Sequence, residues 1–391
     1  MSTVGMQIAE RAKKHPKESL TNLHQFIDSV MLHGNFEGMN KKSASGVDKQ
    51  TWHEYDEQRE RRIPELLSAF KGGRYRAPNI QRAYIPKGDG TMRPLGLPTV
   101  EDKLLQSAVA DVLTPIYEQM FYDFSYGFRE GKSAHQALDQ LFKEVSFNGK
   151  WYVIDADMKN YFGSINHQCL REFLDQRIND GVIRKQIDKW LKAGILEEGE
   201  VTYPTEGTPQ GGVISPLLSN IYLHYVLDDW FATQVQPLLR GKSCLIRFAD
   251  DFLICFTTKE DAERVMKVLP KRLGRYGLTL HPEKTRLVEL RGRTGKGETF
   301  TFLGFTHYVG RSRKGKRVLK RKTSRKKFTL ALKRMNAWLR YNRHHAVSEL
   351  ICSLNQKLRG HYSYYGITFN SRGLSTYRLQ VERLLFKWLN R

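Results

Sequence analysis

Leu245-Ile246-Arg247-Phe248-Ala249-Asp250-Asp251-Phe252-Leu253-Ile254-Cys255-Phe256 is an apolar run split near its middle by two adjacent carboxylates. Short apolar runs on both sides of a polar break predict two buried strands joined by a turn at the acids. The segment from Trp151 to Phe162 has a similar design. Val153 and Ile154 predict a short buried strand, and Asp155 and Asp157 follow at the two-residue spacing that puts side chains on one strand face. Near Ser215 an apolar helix is predicted, with Pro216 in its first turn and the irregular Thr208-Pro209-Gln210-Gly211-Gly212 stretch ahead of it. Toward the end of the chain the apolar period becomes helical. Phe328, Ala331, Leu332, Met335, Trp338 and Leu339 form one stripe, and Val347, Leu350, Ile351, Leu354 and Leu358 a second. Leu374, Tyr377, Val381, Leu384, Leu385 and Trp388 form a third, so three amphipathic helices are expected to pack as a small bundle. Residues 1 to about 75 read as largely helical and polar, with one amphipathic helix over Asn22 to Val30 and a basic turn over Lys41 to Asp48.

The acids change the picture. Two carboxylates at the tip of a buried hairpin are costly unless something compensates them. Mg2+ is suited to the task, since it prefers carboxylate oxygens and leaves positions open for phosphate. A solvated Asp-Asp turn is the plainer alternative. Asp155 and Asp157 either face one cleft together or divide into one functional and one surface carboxylate. Acids from two strand ends can hold two divalent ions about 4 Å apart, as phosphoryl transfer requires. The Pro209-Gln210-Gly211-Gly212 loop suits contact with a backbone, a phosphate or a base pair, or is simply a turn.

Charge adds a second theme. Of the net +23, +20 falls between Thr299 and Arg391, where 22 Lys and Arg face two acids, Glu349 and Glu382. The densest part runs from Arg311 to Lys322 and continues through Arg325, Lys326 and Lys327. Within a Debye length of about 8 Å such charges repel unless phosphates neutralise them, so this is read as a polyanion-binding surface. The run His361-Tyr362-Ser363-Tyr364-Tyr365 is placed between the second and third helices, stacking on bases or filling the space between helices. Cys169, Cys244, Cys255 and Cys352 lack metal-ligand spacing and read as reduced structural thiols. Gly292 to Gly297 reads as a flexible connection. At 391 residues two or three domains are expected. No segment resembles a signal peptide and no apolar run reaches the roughly 20 residues of a membrane span, so a cytoplasmic location, bacterial in type, with no membrane partner, is expected.

The Asp157 strand, the Gln210 loop and the Ala249-Asp250-Asp251 hairpin, in this order, resemble motifs A, B and C of a reverse transcriptase. Ile85-Pro86-Lys87-Gly88-Asp89-Gly90-Thr91-Met92-Arg93-Pro94 through Thr99, Tyr126-Gly127-Phe128-Arg129 and Ser133-Ala134-His135 narrow the resemblance to the group II intron-encoded reverse transcriptase and maturase family. Phe302-Leu303-Gly304-Phe305 is similar to that family's primer-grip segment, and the likeness runs from about Asn22 to the last residue.

The resemblance implies an α+β right-hand polymerase with an antiparallel-sheet palm. It implies an N-terminal extension over 1–75, fingers and palm over 76–310, and a basic helical thumb, or maturase domain X, over 311–391. It implies that Asp157, Asp250 and Asp251 are the catalytic acids and hold two Mg2+ ions (Mn2+ as substitute), helped by the Met158 carbonyl. Lys87 and Arg93 match residues that hold the incoming triphosphate, Phe162 a ring that packs under the sugar, and Gln210 a residue lining the templating base pair. Phe162 also reads as core packing. Lys284 matches a lysine that protonates the leaving pyrophosphate. The implied partners are an RNA template, a DNA or RNA primer, dNTPs and a structured group II intron RNA.

Three departures stand out: Phe162-Gly163 and Asn166-His167 replace the usual Phe-Asp and Asp-His, and Phe248 stands where Tyr is usual. None touches a presumed metal ligand; they bear on fidelity and metal geometry. Relatives commonly continue into a DNA-binding segment and some into an HNH endonuclease. Neither is found here, which suggests either a truncated chain or a form that relies on RNA for targeting. The expected activity is RNA-directed DNA synthesis with maturase activity. The alternatives are a domesticated enzyme of repair or phage defence and an RNA-binding splicing scaffold.

Overall fold

Capping side chains decide where the second and third helices begin. In a computed structural model, which describes residues 3–86, 91–208, 211–291 and 297–390, helix α1 spans Thr3–Lys14 and α2 spans Ser29–Gly38. The single amphipathic helix expected over Asn22 to Val30 does not form. Asn22 is left-handed (φ 58°), only a 3-10 turn follows over Leu23–Phe26, and Ile27 is extended. Asp28 then caps α2, its carboxylate accepting from the Met31 N–H. Asx residues compete for backbone donors in this way, and here the cap wins over the apolar period. A Thr51–Glu54 capping box starts α3 (Trp52–Asp56), and α4 follows at Arg59–Lys71.

Strands β1 (Ile80–Pro86) and β2 (Met92–Leu97) pair antiparallel, Gln81 opposite Leu97. Helix α5 (Val100–Glu118) is apolar on most sides and buries Leu104, Leu105, Ala108, Val109 and Val112, as an interior helix does. Next come α6 (Ala134–Ser146), β3 (Tyr152–Asp157), a 3-10 turn at Tyr161–Ser164, α7 (His167–Asp175) and α8 (Gly181–Leu191). Short strands β4 (Ile195–Glu197) and β5 (Glu200–Thr202) lead to α9 (Ser215–Leu223), which starts at Ser215 with Pro216 in its first turn, as expected. Then follow β6 (Ser243–Phe248), β7 (Asp251–Phe256), α10 (Lys259–Gly274) and β8 (Arg286–Glu289). The chain ends in β9 (Phe300–Phe302), β10 (Phe305–Arg311), β11 (Arg317–Thr323) and helices α11 (Arg325–Asn342), α12 (Val347–Tyr365) and α13 (Ser371–Leu389).

These elements form two compact units. The first comprises Met1–Phe128, Met158–Pro237 and Val268–His281. Its sheet has the order β2-β1-β4-β5, with β1 and β4 parallel and the other pairs antiparallel. Inside it the buried Asp102 carboxylate accepts from Tyr75, Gln106 and Trp190, which is how a buried acid is tolerated.

The second unit comprises Arg129–Asp157, Leu238–Lys267 and Pro282–Arg391. It holds an all-antiparallel sheet ordered β6-β7-β3-β8, a smaller sheet β11-β10-β9, and the three C-terminal helices. Met335, Leu339, Leu350, Leu354, Tyr377, Val381 and Trp388 form the bundle core, drawn from all three predicted stripes. Two particulars differ from the sequence reading. The run from His361 to Tyr365 is the last turn of α12, with His361 stacked on Tyr377 at 3.8 Å. The stretch from Arg311 to Lys322 turns and pairs back on itself between β10 and β11 before the helices begin at Arg325. The architecture is α+β. Among the described residues, no helix is long and apolar enough to cross a membrane.

Candidate active site

The acid-bearing hairpin has a two-residue loop. Phe248 pairs with Asp251, which leaves Ala249 and Asp250 at the tip. Ala249 adopts φ 57°, a conformation uncommon for a residue with a Cβ. Behind the tip Arg247 is fully buried, and its Nη1 donates to the Ala249 carbonyl at 3.1 Å. The left-handed turn is thus held by a side chain from its own strand. Asp250 occupies the loop and Asp251 is the first residue of β7.

Strand pairing then assembles the carboxylates. In the β3–β7 register Asp157 stands opposite Asp251 and Asp155 opposite Leu253. Residues directly opposite in an antiparallel pair share a face, with Cβ atoms about 5 Å apart. Asp155, two residues before Asp157, points to the same face. On the other side of β3, Asp155 pairs with Arg286 of β8.

Crowding of like charge shows in the acidities. Burial pushes the Asp251 carboxyl up to about 8, reinforced by Asp155, then Asp250 and Asp157. Asp155 rises to about 6, again mainly through burial, with Arg286 opposing and Asp157 adding. Lys284 Nζ lies 2.9 Å from Asp157 Oδ2, a cation at the edge of the group. The Thr285 hydroxyl is 3.4 Å from the Asp157 backbone nitrogen.

The fit to a divalent ion follows from this donor set. Oxygen donors crowded enough to hold a proton at neutral pH gain strongly from a hard cation in its place. Among the described residues, no three His, Cys, Asp or Glu side chains already surround an ion position. Asp157, Asp250 and Asp251 are nonetheless brought to one strand end, with Lys284 beside them.

Other predicted residues are distributed differently. Arg93 is an exposed residue of β2, and Phe162 lies edge-on to Tyr161 in the 3-10 turn, with its carbonyl accepting from the Thr208 N–H at 2.8 Å; both belong to the first unit. Met158 also belongs to the first unit, where it is buried and bridges to Leu280. Lys87 and Gln210 lie outside the described residues, as does most of the Gly292–Gly297 connection. After Gln210, Gly211 has φ 118°, and a Cβ there would come within 2.4 Å of the Gly96 carbonyl. Only glycine fits so close to β2.

The structure also adds to the predicted set. Asp155 joins the cluster, a membership that the two-residue spacing had signalled. Arg247 carried no such signal, since one arginine in an apolar strand reads as an interruption. The four cysteines are free; Cys255 is buried and Cys352 exposed.

Comparison with known proteins identifies the family. Residues 85–307 match the family described as reverse transcriptase (RNA-dependent DNA polymerase). Group II intron-encoded protein LtrA of Lactococcus lactis subsp. cremoris is 28% identical over 471 residues, covering 96% of this chain and 76% of that one. Protein YkfC of Escherichia coli (strain K12) is 34% identical over 284 residues, covering 64% and 71%. The telomerase reverse transcriptase of Takifugu rubripes is 26% identical over 233 residues, covering 57% and 20%.

Proposed function

The chain belongs to the reverse transcriptase (RNA-dependent DNA polymerase) family and is related to group II intron-encoded proteins, and from that premise we propose that it extends a primer on an RNA template in a Mg2+-dependent reaction, using Asp157, Asp250 and Asp251. The observation that carries this reading is the register that sets Asp157 opposite Asp251, whose carboxyl is pushed up to about 8 by burial and then by the charges of Asp155, Asp250 and Asp157.

Bound Mg2+ would supply Lewis-acid stabilisation of the attacking and leaving oxygens. The chain's own residues do the rest. Asp157 and Asp251 offer oxygens from facing strands, and Asp250 offers one from the hairpin tip, with the Met158 carbonyl beside Asp157 in sequence. Lys87 and Arg93 hold the triphosphate through charge-assisted hydrogen bonds. The Phe162 ring excludes a 2′-hydroxyl by bulk, favouring dNTPs, and Gln210 lines the templating pair. Lys284, whose ammonium lies on Asp157, donates a proton to the departing pyrophosphate. These parts make up the fingers and palm of a right-hand polymerase. The basic hairpin and bundle serve as its thumb and grip the primer–template duplex and a structured intron RNA.

A maturase role runs alongside polymerisation, favoured by the +20 carried between Thr299 and Arg391. Primer extension on an RNA template with Mg2+ and dNTPs tests the main reading, comparing the native chain with Asp250→Ala plus Asp251→Ala. Extension by the native chain and none by the variant is expected. A folded native chain that binds RNA but adds no nucleotide would leave the splicing-scaffold role standing and remove the polymerase.

A further inference from the structure

The last turn of α12 is tied to the turn between β9 and β10, and that turn reaches Asp251. Tyr364 Oη donates to the Leu303 carbonyl at 2.8 Å. The Tyr364 ring stacks on Phe305, centroids 5.9 Å apart at 26°. His135 Nε2 hydrogen-bonds the Tyr364 carbonyl at 2.7 Å. Tyr364 is therefore held at its ring by Phe305 and at its backbone by His135 of α6.

What it holds is an unusual turn. Leu303 and Gly304 both have positive φ, 48° and 81°. Leucine adopts this region rarely, and such conformations persist only where the surroundings impose them. The two residues form the loop of the β9–β10 hairpin, with Phe302 paired to Phe305 and the Ser324 N–H donating to the Gly304 carbonyl at 3.0 Å, and Tyr364 adds a side-chain tie on the Leu303 carbonyl. The Leu303 backbone lies beside the Asp251 carboxyl and opposes the burial and like charges that raise its pKa. Asp251, Leu303, Gly304 and Tyr364 line one cavity of about 720 Å³.

We propose that Tyr364 is a positioning residue for Asp251: its hydroxyl fixes the Leu303–Gly304 turn, and the backbone of that turn sets the surroundings of the carboxylate. The inference rests on Asp251 being a polymerase acid. A backbone amide beside a carboxylate favours its charged form, so displacing the turn changes the surroundings in which the acid works. The bundle thereby acts on chemistry, in addition to any contact it makes with nucleic acid.

Tyr364→Phe removes the hydroxyl and keeps the ring on Phe305. On a primed RNA template, kcat is expected to fall about tenfold, with KM for dNTP and Kd for the duplex within about twofold of native. The Mg2+ concentration giving half-maximal rate is expected to rise. A ring that only fills space would leave all of these unchanged, so a kcat within about twofold of native overturns the proposal. Weaker duplex binding with unchanged kcat at saturation also overturns it, since Tyr364 would then be a nucleic-acid contact.

Gly304→Ala provides a second route into the same turn. Its Cβ would meet the Tyr365 hydroxyl at 3.5 Å, an ordinary contact, so the change acts through the positive φ. A similar kcat loss that does not add to that of Tyr364→Phe is expected, whereas fully additive losses would mean two independent effects and would sink the relay. No extension by the native chain would remove the polymerase reading and this inference with it. Native extension with an unimpaired Tyr364→Phe would remove this inference alone.

Discussion

The acid end of the β3–β7 pair and the basic hairpin and bundle that follow it use charge in opposite ways. At the strand ends four carboxylates crowd together at the cost of burial and mutual repulsion, and Asp251 answers by holding its proton up to about 8. From Arg311 onward the cations are many and mostly exposed, with Arg313, Lys314, Lys316 and Arg317 all open to solvent at the β10–β11 tip. A few half-buried charges create a steep local demand for a cation. Many exposed ones create a broad, screened attraction for a polyanion. The first arrangement suits chemistry and the second suits binding.

The sharpest break of this contrast is Asp157→Asn. Losing one carboxylate of the facing pair should lower extension on the order of 10³-fold. The melting temperature should hardly move, because the Asp157 side chain is 41% exposed and its Lys284 contact is open to water. Residual activity close to native would show that Asp157 is an ordinary strand residue and that the site lies elsewhere.

Neutralising the hairpin tip probes the other side. With Arg313, Lys314, Lys316 and Arg317 all changed to Gln, duplex affinity should fall at moderate salt. The slope of log K against log salt should shrink by about 0.9 for each phosphate that the variant no longer neutralises. At saturating duplex in low salt the rate should stay near native. A reduced rate under those conditions would mean that the tip also shapes the reacting geometry, and the division between chemistry and binding would fail.

The smallest expected effect concerns pH. His307 of β10 is fully buried, and burial together with the nearby Arg321 charge pushes its pKa down to about 3 from an ordinary 6.5. The unfolded chain therefore takes up a proton that the folded chain refuses. Stability should decline as pH falls through the ordinary value toward the folded one. His307→Phe, which keeps a ring against Phe300, should lose that part of the slope in melts between pH 7 and pH 5. An identical pH dependence in both proteins would mean that His307 finds a way to ionise inside the fold.

Legibility in the sequence followed the range of the interactions. The acid hairpin, the Pro216 helix start and the three apolar stripes were readable because turn chemistry and periodicity act over a few residues. Asn22 to Val30 was misread because a local cap at Asp28 overrode a local period. The aromatic run was displaced because α12 extends through Tyr365, where ring contacts to Tyr377 and Phe305 favour helix. Arg247 and the left-handed Leu303 gave no signal, since each depends on partners assembled by the fold.

The sequence by itself determined which residue types are available: paired acids at strand ends, a glycine-bearing loop, and a C-terminal quarter with nearly all the net charge. Only the tertiary structure decided that Asp157 faces Asp251, that Asp155 joins them, and that Tyr364 reaches them through the Leu303 turn. The reason is physical. Spacing along a chain fixes which face a side chain takes, but register between strands about a hundred residues apart decides which faces meet.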